Sequence, residues 1–129
     1  YLLDGRYMNW AERNARESGG SIQVSHDIAS AYAGAEVVYA KSWGALPYFG
    51  NWEAEKPVRE RYRHFIVDEA KMALTDNGVF SHCLPLRRNI KATDGVMDSP
   101  NCIAIAEAGN RLHVQKAIMD TLINHPEIS

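Results

Sequence analysis

The chain has 129 residues, a formal net charge of −2 and 46% hydrophobic residues. That length allows one domain with a real core, and the near-neutral charge gives no basic footprint for nucleic acid. No apolar run approaches the roughly 18 residues of a membrane span, and Tyr1 onward lacks a signal peptide's charged-then-apolar layout. The two cysteines, Cys83 and Cys102, fall in or beside expected buried strands, which suits a reducing cytoplasm better than a disulfide framework.

In chain order, Asp4 is placed to cap a helix from about Gly5 to Glu17, which Gly19-Gly20 ends. Ile22-Gln23-Val24 reads as a short strand, followed by a brief helix from about Asp27 to Gly34 and a strand at Val37-Val38-Tyr39-Ala40. Apolar strands separated by helices predict an α/β fold, a parallel sheet with helices on both faces. Residues 42–58 break this rhythm: Gly44, Pro47 and Gly50 are mixed with Trp43, Tyr48, Phe49 and Trp52, which predicts a long irregular loop. Its aromatics either line a pocket or pack the loop against the sheet, the second being commoner. Arg59, Glu60, Arg61 and Arg63 read as a solvated face.

Asp68 caps a helix through Leu74, and Asp76-Asn77-Gly78 turns into the apolar run Val79-Phe80-Ser81. The chain then enters His82-Cys83-Leu84-Pro85-Leu86-Arg87-Arg88-Asn89-Ile90-Lys91, a cationic loop after a buried strand. Open parallel sheets place ligands at such strand ends. Thr93-Asp94 starts a short helical turn, Cys102-Ile103-Ala104-Ile105 reads as a fourth strand, and the last helix covers about Ala108 to Asn124. Leu112, Ile118, Met119 and Leu122 mark its apolar face. Asn110-Arg111-Leu112-His113 lies between that strand and the body of the helix.

Some chemistries find no support in the spacing. His26, His64 and His113 lack metal-ligand spacing with each other or with either cysteine. Ser18-Gly19-Gly20-Ser21 follows a helix and precedes a strand, the wrong order for a phosphate-cradling glycine loop. His82 and Cys83 are adjacent in an extended segment, so their side chains point to opposite faces and do not form a Cys–His pair by themselves.

Three stretches, Lys41-Ser42-Trp43-Gly44, His82 through Lys91, and Asn110 through Lys116, together resemble the carbamoyltransferase family, and within it the acylornithine branch. The resemblance spans nearly the whole chain. It implies the Rossmann-like second domain of these enzymes, incomplete at its N-terminal side. It also implies transfer of the carbamoyl group of carbamoyl phosphate to the side-chain amine of N-acetylornithine, in arginine biosynthesis. It further implies that no cofactor is needed and that the full-length protein is a homotrimer, while spacing, apolar runs and charge give no metal site and no membrane or nucleic-acid partner.

On that resemblance, Arg111 reaches carbamoyl phosphate near its carbonyl oxygen, a task suited to a permanently charged fork of donors. The Cys83-Leu84 backbone contacts the carbamoyl group, and the Leu84 carbonyl orients the attacking amine. The thiol of Cys83 is not a nucleophile in the family; its side chain reads as a small buried hydrophobe. Lys41, Ser42, Trp43 and Pro85 complete the implied substrate-binding set. Ornithine enzymes carry an Asp four residues before the Ser of a Ser-Met-Gly motif, where it pairs with the substrate's α-ammonium. Here that position is Val38, before Ser42. An unpaired buried charge costs about 2–5 kcal/mol, so a neutral, acylated α-nitrogen fits better, with Lys41 free to hold the α-carboxylate.

Lys91 matches a lysine that is carboxylated at its side-chain nitrogen in the acylornithine branch; alternatively it is a plain surface lysine. Carboxylation needs a neutral amine, hence burial or cationic neighbours, for which Arg87 and Arg88 are candidates. The family's carbamoyl phosphate domain carries an S-x-R-T-R-type loop that does not occur in these residues. The chain therefore reads as a C-terminal fragment, inactive in isolation. N-succinylornithine or ornithine remain alternative substrates. A non-catalytic nucleotide-binding or interaction domain is the alternative from another class, although no G-x-G-x-x-G occurs.

Overall fold

A computed structural model describes residues 3–41 and 44–124. The chain divides into two compact units, one of residues 1–31 with 43–64 and one of residues 32–42 with 65–129.

In the first unit, helix α1 covers Gly5–Ser18. The Asp4 side chain accepts from the Arg6 N–H at its start, and Gly19, at φ 75°, closes its end by donating to the Ala15 carbonyl. That left-handed turn is one glycine adopts without steric penalty. The strand expected at Ile22–Val24 does not form: the segment is irregular, and Ile22 and Val24 are 45% and 63% exposed. Two β-prone residues, Ile22 and Val24, with no strand partner have nothing to stabilise them as a strand. Helix α2, Ile28–Tyr32, follows.

The expected long irregular loop is also corrected. A 3-10 turn at Leu46–Tyr48 is followed by helix α3, Trp52–Arg61, with Pro57 inside it. An interior proline costs about 3 kcal/mol, but this helix has local compensation. Asn51 caps it by accepting from the Ala54 N–H. Glu55, 1% exposed, accepts from the Ala45 N–H at 2.8 Å and lies 3.9 Å from Arg59. Arg59 also stacks over the Trp52 ring at 5.8 Å, so this arginine is less solvated than its charge run suggested. Phe49 and Trp52 are 86% and 58% exposed rather than packed.

The second unit holds the sheet. Strands β1 (Val37–Tyr39) and β2 (Val79–Ser81) pair in parallel, with Val37 opposite Val79, Val38 opposite Phe80 and Tyr39 opposite Ser81. The fourth strand expected at residues 102–105 shrinks to a single parallel bridge between Phe80 and Cys102. Helix α6 already begins at Ala104 and runs to Asn124. The alanines and Glu107 are stronger helix formers than Ile103 and Ile105 are strand formers in this setting. Asn110-Arg111-Leu112-His113 therefore lies wholly within α6.

Val67, Phe80, Ala92 and Val96 form the core of this unit, with Tyr32, Val38, Ala40, Met72, Leu86, Met97 and Cys102 packed against it. Helices α4 (Glu69–Met72) and α5 (Asp94–Met97) are capped by Asp68 and Thr93. Leu112, Ile118, Met119 and Leu122 of α6 are each more than half exposed, so their apolar face is not a core face within the described residues. Thus the unit is an α/β arrangement around a parallel sheet. Among the described residues no helix is long and apolar enough to cross a membrane.

Candidate functional site

Parallel pairing sets the carboxyl ends of β1 and β2 side by side. Lys41 follows β1 and Cys83 follows β2, and Lys41 Nζ lies 3.8 Å from Cys83 Sγ. Two stretches 42 residues apart in sequence thus meet where open parallel sheets expose their strand ends. Alternation turns Val38 of β1 and Ala40, just after it, toward the core, leaving Tyr39 exposed. The valine that the sequence set beside the substrate's α-nitrogen spends part of its surface on core packing.

Cys83 is half-buried and free, as is Cys102. Its contact with a lysine ammonium corrects the expectation of a purely apolar burial. His82 is fully buried. Its Nδ1 contacts the Cys83 carbonyl oxygen rather than the thiol, and its Nε2 has no hydrogen-bond partner among the described residues. Leu84 is 41% exposed, and the Leu84-Pro85 peptide bond is cis.

The rest of the loop is held from within. Arg88 bonds Asp94 at 2.9 Å and Asp98 at 2.6 Å. Asn89, at φ 57°, donates to Asp94 and accepts from the Asp94 N–H. Asparagine tolerates that left-handed conformation better than most residues. Both aspartates are held below the usual carboxylate range, Asp98 chiefly by Arg88, Asp94 first by Asn89 and then by Arg88. Arg88 is thus paired with two acids, which offset the charge that the sequence suggested as a cationic neighbour for Lys91.

Lys91 is 9% exposed, which corrects the surface-lysine alternative. Its carbonyl accepts from Val67 N–H at 2.9 Å, and its own N–H donates to Arg87 at 3.0 Å. Arg111 is exposed on α6, its guanidinium without a carboxylate partner among the described residues. Ser42 and Trp43 lie outside the described residues.

One feature was missed in the sequence. Glu107, on the first turns of α6, accepts from the Tyr39 hydroxyl at 2.9 Å and from the Ser81 hydroxyl at its other oxygen. The Ser81 and Tyr39 hydroxyls hold the Glu107 carboxyl below its usual range, and the same bond raises the Tyr39 phenol. The available signal was the match of hydroxyl residues at the last position of both strands. No group of three or more potential metal ligands occurs among the described residues.

Residues 1–122 match the family described as aspartate/ornithine carbamoyltransferase, Asp/Orn binding domain. The chain is 80% identical over 123 residues to the N-acetylornithine carbamoyltransferase of Xanthomonas campestris pv. campestris, covering 95% of this chain and 36% of that protein. It is 42% identical over 126 residues to the ornithine carbamoyltransferase of Pyrococcus horikoshii, covering 95% of this chain and 38% of that protein. A solved acetylornithine transcarbamylase complexed with acetylcitrulline superposes with a TM-score of 0.88 at 80% identity, over 95% of this chain and 36% of that one. The chain spans about a third of the length of the curated relatives it matches. It belongs to the aspartate/ornithine carbamoyltransferase family, matching its Asp/Orn binding domain.

Proposed function

We propose that this chain supplies the amino-acid side of a carbamoyltransferase that converts N-acetylornithine and carbamoyl phosphate into N-acetylcitrulline and phosphate, a step of arginine biosynthesis. The observation that carries the reading is the meeting of Lys41 and Cys83 at adjacent strand ends. It gathers two of the three stretches by which the chain resembles the family. The much higher identity to the acetylornithine relative than to the ornithine one favours the acetylated substrate.

In this reading the neutral side-chain amine attacks the carbamoyl carbon, a C–N bond forms, and the bond to the phosphate oxygen breaks. The proton lost by the amine leaves with phosphate or solvent. Arg111 stabilises charge on the carbonyl oxygen, the Cys83-Leu84 backbone contacts the carbamoyl group, and the Leu84 carbonyl orients the amine, with Pro85 in the substrate-binding set. Lys41 pairs with the substrate's α-carboxylate, with Ser42 and Trp43 beside it. Lys91 carries a carboxylate added from CO2, for which its burial is a supporting feature. The reading includes a cytoplasmic homotrimer, and the chain as the partial C-terminal, amino-acid-binding domain of a longer enzyme.

The test is an assay of the full-length protein with carbamoyl phosphate and, separately, ornithine, N-acetylornithine and N-succinylornithine. Formation of acetylcitrulline at the highest kcat/KM is the expected result. A preference for either rival moves the substrate assignment, and turnover of none overturns the enzyme reading.

A further inference from the structure

Glu107 lies one helical turn before Arg111, so the two residues share a face of α6 with about 6 Å of rise between them. An acid four residues before an arginine is within pairing reach of it, an interaction worth about 0.2–0.5 kcal/mol. Here both carboxylate oxygens are taken by hydroxyls of the sheet, from Tyr39 at the end of β1 and Ser81 at the end of β2. Ser81 is buried and Tyr39 is opposite it in register, so both donors come from the last positions of the two paired strands.

We infer that Glu107 is a positioning residue for carbamoyl transfer: by binding the ends of both strands it fixes the rotation of α6 and presents Arg111, which has no carboxylate partner among the described residues, above the strand-end site. The inference rests on the function proposed above, in which Arg111 acts on carbamoyl phosphate. The low proton affinity of Glu107 and the raised phenol of Tyr39 agree with a carboxylate that stays ionised and accepts from both hydroxyls. Three residues distant in sequence thereby govern where one cation stands. A displacement of about 1 Å at such a group costs on the order of 10²-fold in rate.

The experiment uses the full-length protein and compares Glu107→Ala, Glu107→Gln, Arg111→Ala and the double variant Glu107→Ala with Arg111→Ala. The expected result for Glu107→Ala is a fall of about 10- to 100-fold in kcat/KM for carbamoyl phosphate, with the KM for acetylornithine within about twofold. Glu107→Gln, which keeps an acceptor oxygen, recovers part of the loss. The double variant is little worse than Arg111→Ala, because the two residues act as one unit. If Glu107→Ala does not fold, Tyr39→Phe combined with Ser81→Ala removes the donors while keeping the acid, and the same kinetic pattern is expected.

Kinetics of Glu107→Ala equal to the unsubstituted enzyme, or losses that simply add to those of Arg111→Ala, overturn the inference and leave the function standing. An unsubstituted protein that transfers no carbamoyl group overturns the function, and the inference with it.

Discussion

Lys41 Nζ rests 3.8 Å from Cys83 Sγ, joining the loop after β1 to the loop after β2. A thiol is a weak acceptor, so this contact leaves most of the ammonium's bonding capacity for a ligand. If that ligand is the substrate's α-carboxylate, Lys41→Met removes one charge-assisted bond, worth about 1.5–3 kcal/mol. The full-length protein should then lose roughly 10- to 100-fold in kcat/KM for acetylornithine, with carbamoyl phosphate saturation unchanged. Steady-state kinetics with each substrate varied in turn reads this. An unaltered acetylornithine KM would place the carboxylate elsewhere.

Lys91 is buried at the point where the loop returns to the core, its carbonyl bonded to Val67. Carboxylation joins the neutral amine to CO2 and releases a proton, so it is favoured by bicarbonate and reversed by acid. Intact mass measured under CO2-rich, mildly alkaline conditions should show an increment of one CO2. Lys91→Arg should abolish the increment, and brief acidification should remove it. A protein of unmodified mass under those conditions carries an ordinary lysine at this position.

Much of the second unit was legible because its signals are local. Asp68 and Thr93 cap their helices as their spacing implied, and the apolar run at residues 79–81 pairs where such a run must. The failures came where local preference and context compete. Ile22–Val24 had β-prone residues without a strand to join, and Cys102–Ile105 had isoleucines inside a stretch that alanine and glutamate draw into α6. Trp52–Arg61 became a helix in spite of Pro57 because a cap and a buried acid support it. In the site, strand-end loops could be read from residue type, but the Glu107 link could not, since its partners come from two strands 42 residues apart.

Arg88, Asp94 and Asp98 make a pH-sensitive brace for the loop. Both aspartates have folded values below their ordinary ones. Their contribution to loop order is therefore complete above the unfolded value, about 4, and is lost as pH falls through the depressed folded values. Arg88→Ala should raise Asp98 toward its ordinary value more than Asp94, because Asn89 still bonds Asp94. Carboxyl chemical shifts followed by NMR between mildly acidic and strongly acidic pH measure both groups. Equal shifts of the two would show that Asn89 does not hold Asp94 in solution.

Gly78 and Gly95 both leave no room for a side chain, yet a methyl group meets different obstacles at each. A Cβ on Gly78 would stand 2.7 Å from the Ala35 carbonyl oxygen and 3.0 Å from Thr75. The first is backbone, fixed where Asp76 N–H donates to that same carbonyl, just ahead of β1 and β2. A Cβ on Gly95 would strike the Glu69 carboxylate, the far end of a flexible side chain. That carboxylate can swing away at the loss of its bond from Thr93. Gly78→Ala should therefore destabilise the fold by about 1–3 kcal/mol, as overpacking does, and Gly95→Ala by about 1 kcal/mol, the worth of one hydrogen bond. Urea unfolding of the two variants ranks them directly. The reverse order would mean that the chain ahead of β2 yields more readily than the Glu69 side chain, and that the strand-end site is anchored less firmly than its hydrogen bonds indicate.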